Sequence, residues 1–321
     1  MKNDPTYIPP KIDPLSGDYP RPLWSVMIPT FNCAKYLCQT LESVLIQDAG
    51  AEQMQIEVVD DCSTKDDPES VVRELGRGRV SFYRKPKNGG ATANFNTCIE
   101  RSRGRLVHIL HGDDYVLPGF YDEILRLKSI APAAYLFACR NFGIDENGVI
   151  FGVSPRLKEL ESENRSASLL YHQTAIQFCG VVVTRNAFCE QGGFLPALVH
   201  MADREMWIRC ITNGGGIVSS KVLSNYRTFS TSDTNKLMRT GENIRDLVRL
   251  NSILAAKFSD FSKSKGQLQA ALAARSQAVS FAQNGDLEAS RENMRLWHDL
   301  ASFKLKSKTY LRKLFPCLLN R

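Results

Sequence analysis

The 321-residue sequence predicts an α/β fold: a mostly parallel, Rossmann-like sheet flanked by helices, with an α-helical C-terminal extension. Three observations carry this expectation. Between residues 24 and 110, short apolar runs suited to buried strands alternate with segments whose apolar residues recur at helical spacing. Several of the runs end in proline or acids, as strands do when their carboxyl ends form a ligand edge. From about residue 235 onward only helical patterning remains.

The elements follow in order. Residues 1–22 are polar and proline-rich and read as an irregular leader. WSVMIP (24–29) is a buried strand, and Asn32 is a candidate N-cap for a helix presenting Leu37, Leu41, Val44 and Leu45. QIEVVDD (55–61) is a second strand, SVVRELG a helix, and RVSFYRK (79–85) a third strand. NGGATANFNTCIERSRG opens with two glycines and continues as a helix with Ala91, Phe95, Cys98 and Ile99 on one stripe. RLVHIL (105–110) is the fourth strand, and right-handed crossovers would make these four parallel. AAYLFACR (133–140) is a further strand, DENG (145–148) a turn, and 155–168 a charged, mobile loop. FCGVVVTRNAFCEQGGF (178–194) supplies strand, helix and glycine turn. ADREMWIRCITNGGG (202–216) is a helix stopped by glycines, and KVLSNYR (221–227) the last strand.

Composition narrows the function classes. Hydrophobic residues at 43% and charged residues at 23% describe an ordinary folded chain. The surplus of 41 Lys and Arg over 34 Asp and Glu is small and concentrated at the tail, which argues against a nucleic-acid role. No apolar run is long enough to span a bilayer, and no signal peptide is visible. Nine cysteines without a CxxC pair suggest reduced thiols and a cytoplasmic setting.

The strand RLVHIL runs into Asp113 and Asp114 side by side. Adjacent carboxylates repel, so they persist beside a cation or in water. Such hard oxygen ligands suit Mg²⁺ or Mn²⁺ shared with phosphate oxygens, whereas a solvated turn is the plainer alternative. His108 and His111 lie three apart and would point to opposite faces of a continuing strand, which excludes a shared metal there. His108 is expected under the sheet and His111 beside the acids.

Seven segments together resemble glycosyltransferase family 2, inverting enzymes of GT-A fold. They are IPTFN (28–32), VVDDCSTKDD (58–67), NGGATANFN (88–96), LHGDDYVLPG (110–119), GGF (192–194), ADREMWIR (202–209) and YRTFSTS (226–232). The resemblance spans about residues 22–232 and implies a leader at 1–22, a GT-A domain at 23–232 and a helical extension at 233–321. It further implies that Pro29, Thr30 and Asn32 lie against the base and ribose of a nucleotide, and that Asp60 or Asp61 hydrogen-bonds the base. Asn88 and Gly90 would line the nucleotide, with Asn96 further along the same helix. Asp113 and Asp114 would hold Mn²⁺ or Mg²⁺, and Asp203 would be the catalytic base. On the residues alone, Asp203 reads first as an N-cap, Trp207 as core or else a border of the acceptor pocket, and Arg204 and Arg209 as solvated helix charges or else contacts to an anionic acceptor.

Five positions depart from the family pattern. Cys62 replaces a glycine, Phe95 an arginine, His111 the leading acid of the metal motif, Ala202 the glutamate before the base, and Phe229 a histidine. The implied function is transfer of a sugar from a nucleotide donor, expected to be a UDP-sugar. The acceptor would be a saccharide or lipid-linked saccharide of a bacterial surface polymer. The tail FKLKSKTYLRKLFPCLLNR (303–321) interleaves six basic residues with leucines and aromatics and contains no acid. It suits an anionic inner-leaflet surface, or equally packing on the domain or a dimer contact. Two further readings compete with the transferase. A sugar nucleotidyltransferase would need a glycine-rich basic loop after the first strand, which PTFNCAKYL lacks. A GT-A domain that has lost catalysis and scaffolds an assembly would fit the changes at 111, 202 and 229.

Overall fold

The structure, a computed structural model, describes residues 7–17 and 20–301. The tail 303–321 and the membrane contact expected of it lie outside the described residues. Two compact units divide the chain, Met1–Phe229 and Ser230–Arg321.

In the first unit, β1 (Trp24–Thr30) and β2 (Met54–Asp60) are buried along their whole length. Continuous burial is what unbroken apolar runs require in a sheet covered on both faces. Helix α1 (Ala34–Leu45) buries Ala34, Leu37, Leu41 and Val44 on one face, and α2 (Pro68–Gly76) starts where Asp67 caps Ser70 N–H. β3 (Ser81–Arg84), α3 (Ala91–Arg101) and β4 (Leu106–Ile109) complete the alternation. Then come β5 (Tyr115–Val116), α4 (Phe120–Ile130), β6 (Leu136–Ile144) and β7 (Ile150–Val153). The unit closes with β8 (Val181–Thr184), α5 (Arg185–Gln191), α6 (Ala202–Gly214) and β9 (Gly216–Arg227).

The nine strands form one sheet in the order β3-β2-β1-β4-β8-β6-β9-β5, with β7 pairing off β6. The first four are parallel. Beyond them the expectation of a mostly parallel sheet needs correction: β8 is antiparallel to both β4 and β6, and β5 and β7 pair antiparallel to β9 and β6. The sheet is therefore mixed. A parallel return needs a long crossover, usually helical. The segment from 154 to 180 contains only 3₁₀ turns at Lys158–Leu160, Ser168–Leu170 and Phe178–Gly180, and the chain comes back antiparallel.

Three local expectations change for identifiable reasons. Asn32 does not cap α1; it stands in the left-handed region at φ 51°, and Asp66 caps the helix instead, accepting from Ala34 N–H at 2.7 Å. The 155–168 loop is anchored, because Leu157 and Leu160 are buried and Asn164 pairs with Gly216 on β9. The leader lacks regular structure over its described residues but is docked: Ile12 is buried, and Pro10 C=O accepts from Gly193 N–H at 2.8 Å.

The second unit consists of α7 (Asp233–Arg239), α8 (Glu242–Lys257), α9 (Lys263–Gln283) and α10 (Leu287–Leu300). Ala270, Ala271, Ala274 and Ala278 form the buried stripe of α9, and small side chains there let neighbouring helices approach closely. No helix among the described residues is long and apolar enough to cross a membrane.

Candidate active site

The carboxyl end of β1 is where three loops meet. Thr30 C=O accepts from Asp61 N–H at 2.9 Å, and Pro29 C=O accepts from Gly112 N–H at 3.0 Å. Gly112 is needed for that approach, since a Cβ there would stand 2.3 Å from Thr30 Oγ1 and 3.0 Å from Cys33 Sγ. The Asp61 carboxylate gathers the glycine loop, accepting from Gly89 N–H at 3.0 Å and Gly90 N–H at 2.8 Å, with Lys85 Nζ at 2.6 Å. Asn88 Nδ2 donates to Asp61 C=O at 3.1 Å. Asp60 is equally enclosed, accepting from Ser63 N–H and Oγ and from Arg84 Nε at 2.7 Å. Asn32 Oδ1 accepts from Thr64 and Lys65 N–H, both at 2.9 Å, which explains why it leaves the helix. Thus Pro29, Thr30, Asn32, Asp60, Asp61, Asn88, Gly90 and the loop carrying Asp113 and Asp114 form one hydrogen-bonded edge. Both acids of the Asp60–Asp61 pair are occupied by the protein's own donors, so they set the loops.

Asp113 and Asp114 lie in the turn after β4, beyond Leu110, His111 and Gly112. Asp114 is buried, with Oδ1 accepting from Arg227 N–H at 2.8 Å and Oδ2 without a hydrogen-bond partner among the described residues. Burial and the neighbouring Asp113 charge hold its carboxyl well above the usual carboxylate range. Arg227 braces the turn from beneath: its Nε donates to Asp113 C=O at 2.9 Å, and other guanidinium nitrogens reach Asp145 C=O and Gln39 Oε1. Its Cζ also lies 4.7 Å from the Tyr36 ring centroid. Arg227 stands in YRTFSTS, where nothing in the sequence marks it out; its near-total burial does so in the structure.

His111 also belongs here. One imidazole nitrogen of His111 and one carboxylate oxygen each of Asp113 and Asp114 lie within 4.8 Å of one another. The ring is stacked on Phe95 at 5.0 Å with 10° between planes and packs on Phe178 at 4.6 Å; desolvation brings its pKa down to about 4. His108, by contrast, lies under the sheet as expected, between Tyr121 Oη and Cys179 C=O.

Asp203 is the second residue of α6, not its N-cap, which is Met201; its Oδ1 accepts from Arg204 N–H at 2.6 Å. One turn on, Trp207 is buried and packs on Phe178 at 5.2 Å. Phe178 touches His111, so an aromatic layer of His111, Phe95, Phe178, Phe194 and Trp207 joins the acid turn to the helix of Asp203. The expectation that Arg204 and Arg209 are solvated is corrected. Arg204 is buried, donates to Tyr171 C=O at 2.9 Å, and has its pKa lowered to about 10 by desolvation. Arg209 pairs with the buried Glu205.

Asn96 reaches the GGF turn rather than the nucleotide edge. Its Oδ1 accepts from Phe194 N–H at 2.7 Å and its Nδ2 donates to Phe194 C=O at 3.0 Å. Asn96→Ala would leave both backbone groups buried and unpaired. The expected cost is about 1–3 kcal/mol, read as a lower urea midpoint at unchanged slope.

A cavity of about 380 Å³ lies along α3, lined by Pro10, Gly90, Ala93, Asn96, Pro196 and Val199 among others. Glu100 is the one charged residue in its wall, which gives it little means for acid–base or metal chemistry.

Comparison with known proteins gives a family model, glycosyl transferase family 2, matching residues 25–189. An uncharacterized protein of Mycobacterium tuberculosis is 28% identical over 241 residues, covering 72% of this chain and 75% of the relative. The minor teichoic acid biosynthesis protein GgaB of Bacillus subtilis is 31% identical over 105 residues, 32% of this chain. The hyaluronan synthase of Pasteurella multocida is 24% identical over 214 residues, 65% of this chain. The match spans only 12% and 21% of those two relatives' own lengths. Among solved structures, S. aureus TarS 1–349 in complex with UDP-GlcNAc superposes with a TM-score of 0.55 at 16% identity, over 87% of this chain and 93% of that one. Mannosyltransferase PcManGT from Pyrobaculum calidifontis, in complex with GDP-Man and Mn²⁺, gives 0.56 at 16% identity, over 98% and 86%. At that identity the likeness is one of fold.

Proposed function

The chain belongs to glycosyltransferase family 2 and is a transferase of GT-A fold, and from that premise we propose that it moves a sugar from a UDP-sugar to a saccharide or lipid-linked saccharide, with inversion and with a divalent cation. Polymer synthesis is supported by the relatives named for teichoic acid biosynthesis and hyaluronan synthesis. The observation that carries the reading is the acid turn. Asp114 keeps a buried carboxylate oxygen unpartnered beside Asp113, on the sheet edge where the glycine loop and β1 converge.

That donor set fits Mn²⁺ or Mg²⁺: hard oxygen ligands, one of them already desolvated and lacking a partner. When bound, the cation neutralises charge growing on the departing diphosphate. The remaining work falls to the chain. Pro29, Thr30, Asn32, Asn88 and Gly90 form the nucleoside end of the groove, held in register by Asp60 and Asp61. Arg227 fixes the turn that presents Asp113 and Asp114. Asp203 takes the proton of the acceptor hydroxyl at a carboxylate oxygen as that hydroxyl attacks the anomeric carbon, and a single displacement inverts the centre.

The test is release of UDP from UDP-sugars by purified protein, with GDP- and dTDP-sugars as comparison arms. Activity is expected with Mn²⁺ or Mg²⁺, none in EDTA, and a loss of at least about 100-fold in Asp113→Asn. Undiminished turnover in EDTA would remove the metal from the scheme. Nucleotide binding with no turnover on any donor would favour a domain that binds without catalysing.

A further inference from the structure

We propose that the imidazole of His111 is itself a ligand of the cation, so that this site holds its metal with one nitrogen and two carboxylates and favours Mn²⁺-type transition ions over Mg²⁺. The inference rests on the donor-site reading above and adds the identity of the third ligand.

Four observations lead to it. The His111 nitrogen and the two carboxylate oxygens already lie within 4.8 Å of one another. Three atoms on a triangle of that size lie within about 2.8 Å of a common centre, so shifts of less than about 1 Å would bring all three to a metal–ligand distance of about 2.1 Å. Nε2 of His111 is shielded from solvent and has no hydrogen-bond partner among the described residues, as is also true of Asp114 Oδ2. Two buried polar atoms without partners, on residues of one acidic turn, are costly to leave unsatisfied, and a cation held by both side chains would satisfy them at once. The ring is held in place, since Phe95 stacks flat on it and Phe178 packs against both rings. Finally, Arg227 N–H occupies Asp114 Oδ1, which leaves Oδ2 as the oxygen available to a metal.

The chemistry then sets the selectivity. Mg²⁺ prefers oxygen ligands and retained waters, while imidazole suits transition ions. Exchanging an acid for a neutral ring also lowers the site's charge, weakening the electrostatic term on which Mg²⁺ most depends. The aromatic wall of Phe95 beside the imidazole carries no charge and does not repel the ion.

The experiment uses full-length protein with Mn²⁺ and UDP, and with GDP in a parallel arm. Pulsed electron paramagnetic resonance of bound Mn²⁺ should reveal ¹⁴N coupling from a directly coordinated imidazole in the parent protein. The coupling should vanish in His111→Asp, and the ratio of Mn²⁺ to Mg²⁺ affinity should fall at least about tenfold. The parent spectrum needs no variant, and His111→Asn serves if the aspartate disturbs folding. Bound Mn²⁺ without ¹⁴N coupling, or coupling that survives in both variants, would overturn the assignment while leaving the transferase reading intact. Failure to bind Mn²⁺ with either nucleotide would overturn both.

Discussion

Asp203→Asn is expected to lower turnover by about 100- to 10,000-fold, the range a general base contributes, while the KM for the donor stays near the parent value. The reasoning is local. Asp203 stands in the first turn of α6, where the helix dipole favours a carboxylate, and Oδ1 is used to accept Arg204 N–H. An asparagine oxygen can keep that bond, so the helix start survives and the variant removes proton acceptance with little else. The loss has one structural side effect, because the Asp203 charge supports the buried Arg204 guanidinium. A fall of a few degrees in melting temperature is therefore compatible with the role, corresponding to about 1 kcal/mol. Near-parental turnover in a folded Asp203→Asn protein would return this residue to a purely structural part in α6.

The parallel half of the sheet could be read from sequence because its signals are local. WSVMIP and QIEVVDD are unbroken apolar runs, and each crossover helix has its own stripe and its own stop. The other half is decided by tertiary pairing. β7 carries exposed Ile150 and Phe151 and shows no alternation, and whether β8 lies parallel or antiparallel to β4 depends on a connection without helix. At the site, the carboxylates are legible as adjacent acids on a strand end, and the two-residue period of a strand separates His108 from His111. His111 lies beside the acids because β4 ends at Ile109 and the chain turns there through Gly112. The burial of Arg204, Arg209 and Arg227 is a matter of tertiary packing. A charged residue in a segment apolar on every side, as in EMWIRCI, signals a buried partner, and composition alone does not reveal which one.

Arg209→Met should be among the most destabilising single changes in the first unit, by about 3–5 kcal/mol, or roughly 6–20 °C in melting temperature. Arg209 and Glu205 lie one turn apart on α6 and are both buried. The guanidinium contacts both carboxylate oxygens, with Nη2 2.8 Å from Oε2. It also donates to the carbonyls of Gln191, Gly192 and Gly193, fastening α6 to the end of α5 and the GGF turn. Removing it takes the guanidinium from the buried Glu205 carboxylate and a donor from each of the three carbonyls, and the loss of the buried ion pair dominates the cost. That ordering has a distinctive consequence. Glu205→Leu combined with Arg209→Met should be more stable than Arg209→Met alone, because the second change removes a buried charge that has lost its guanidinium. The pair should still fall short of the parent, since the three carbonyls remain without their donor. Thermal melts of the four proteins in the cycle decide it: if the double variant is less stable than Arg209→Met, the carbonyl contacts and not the ion pair hold α6 in place.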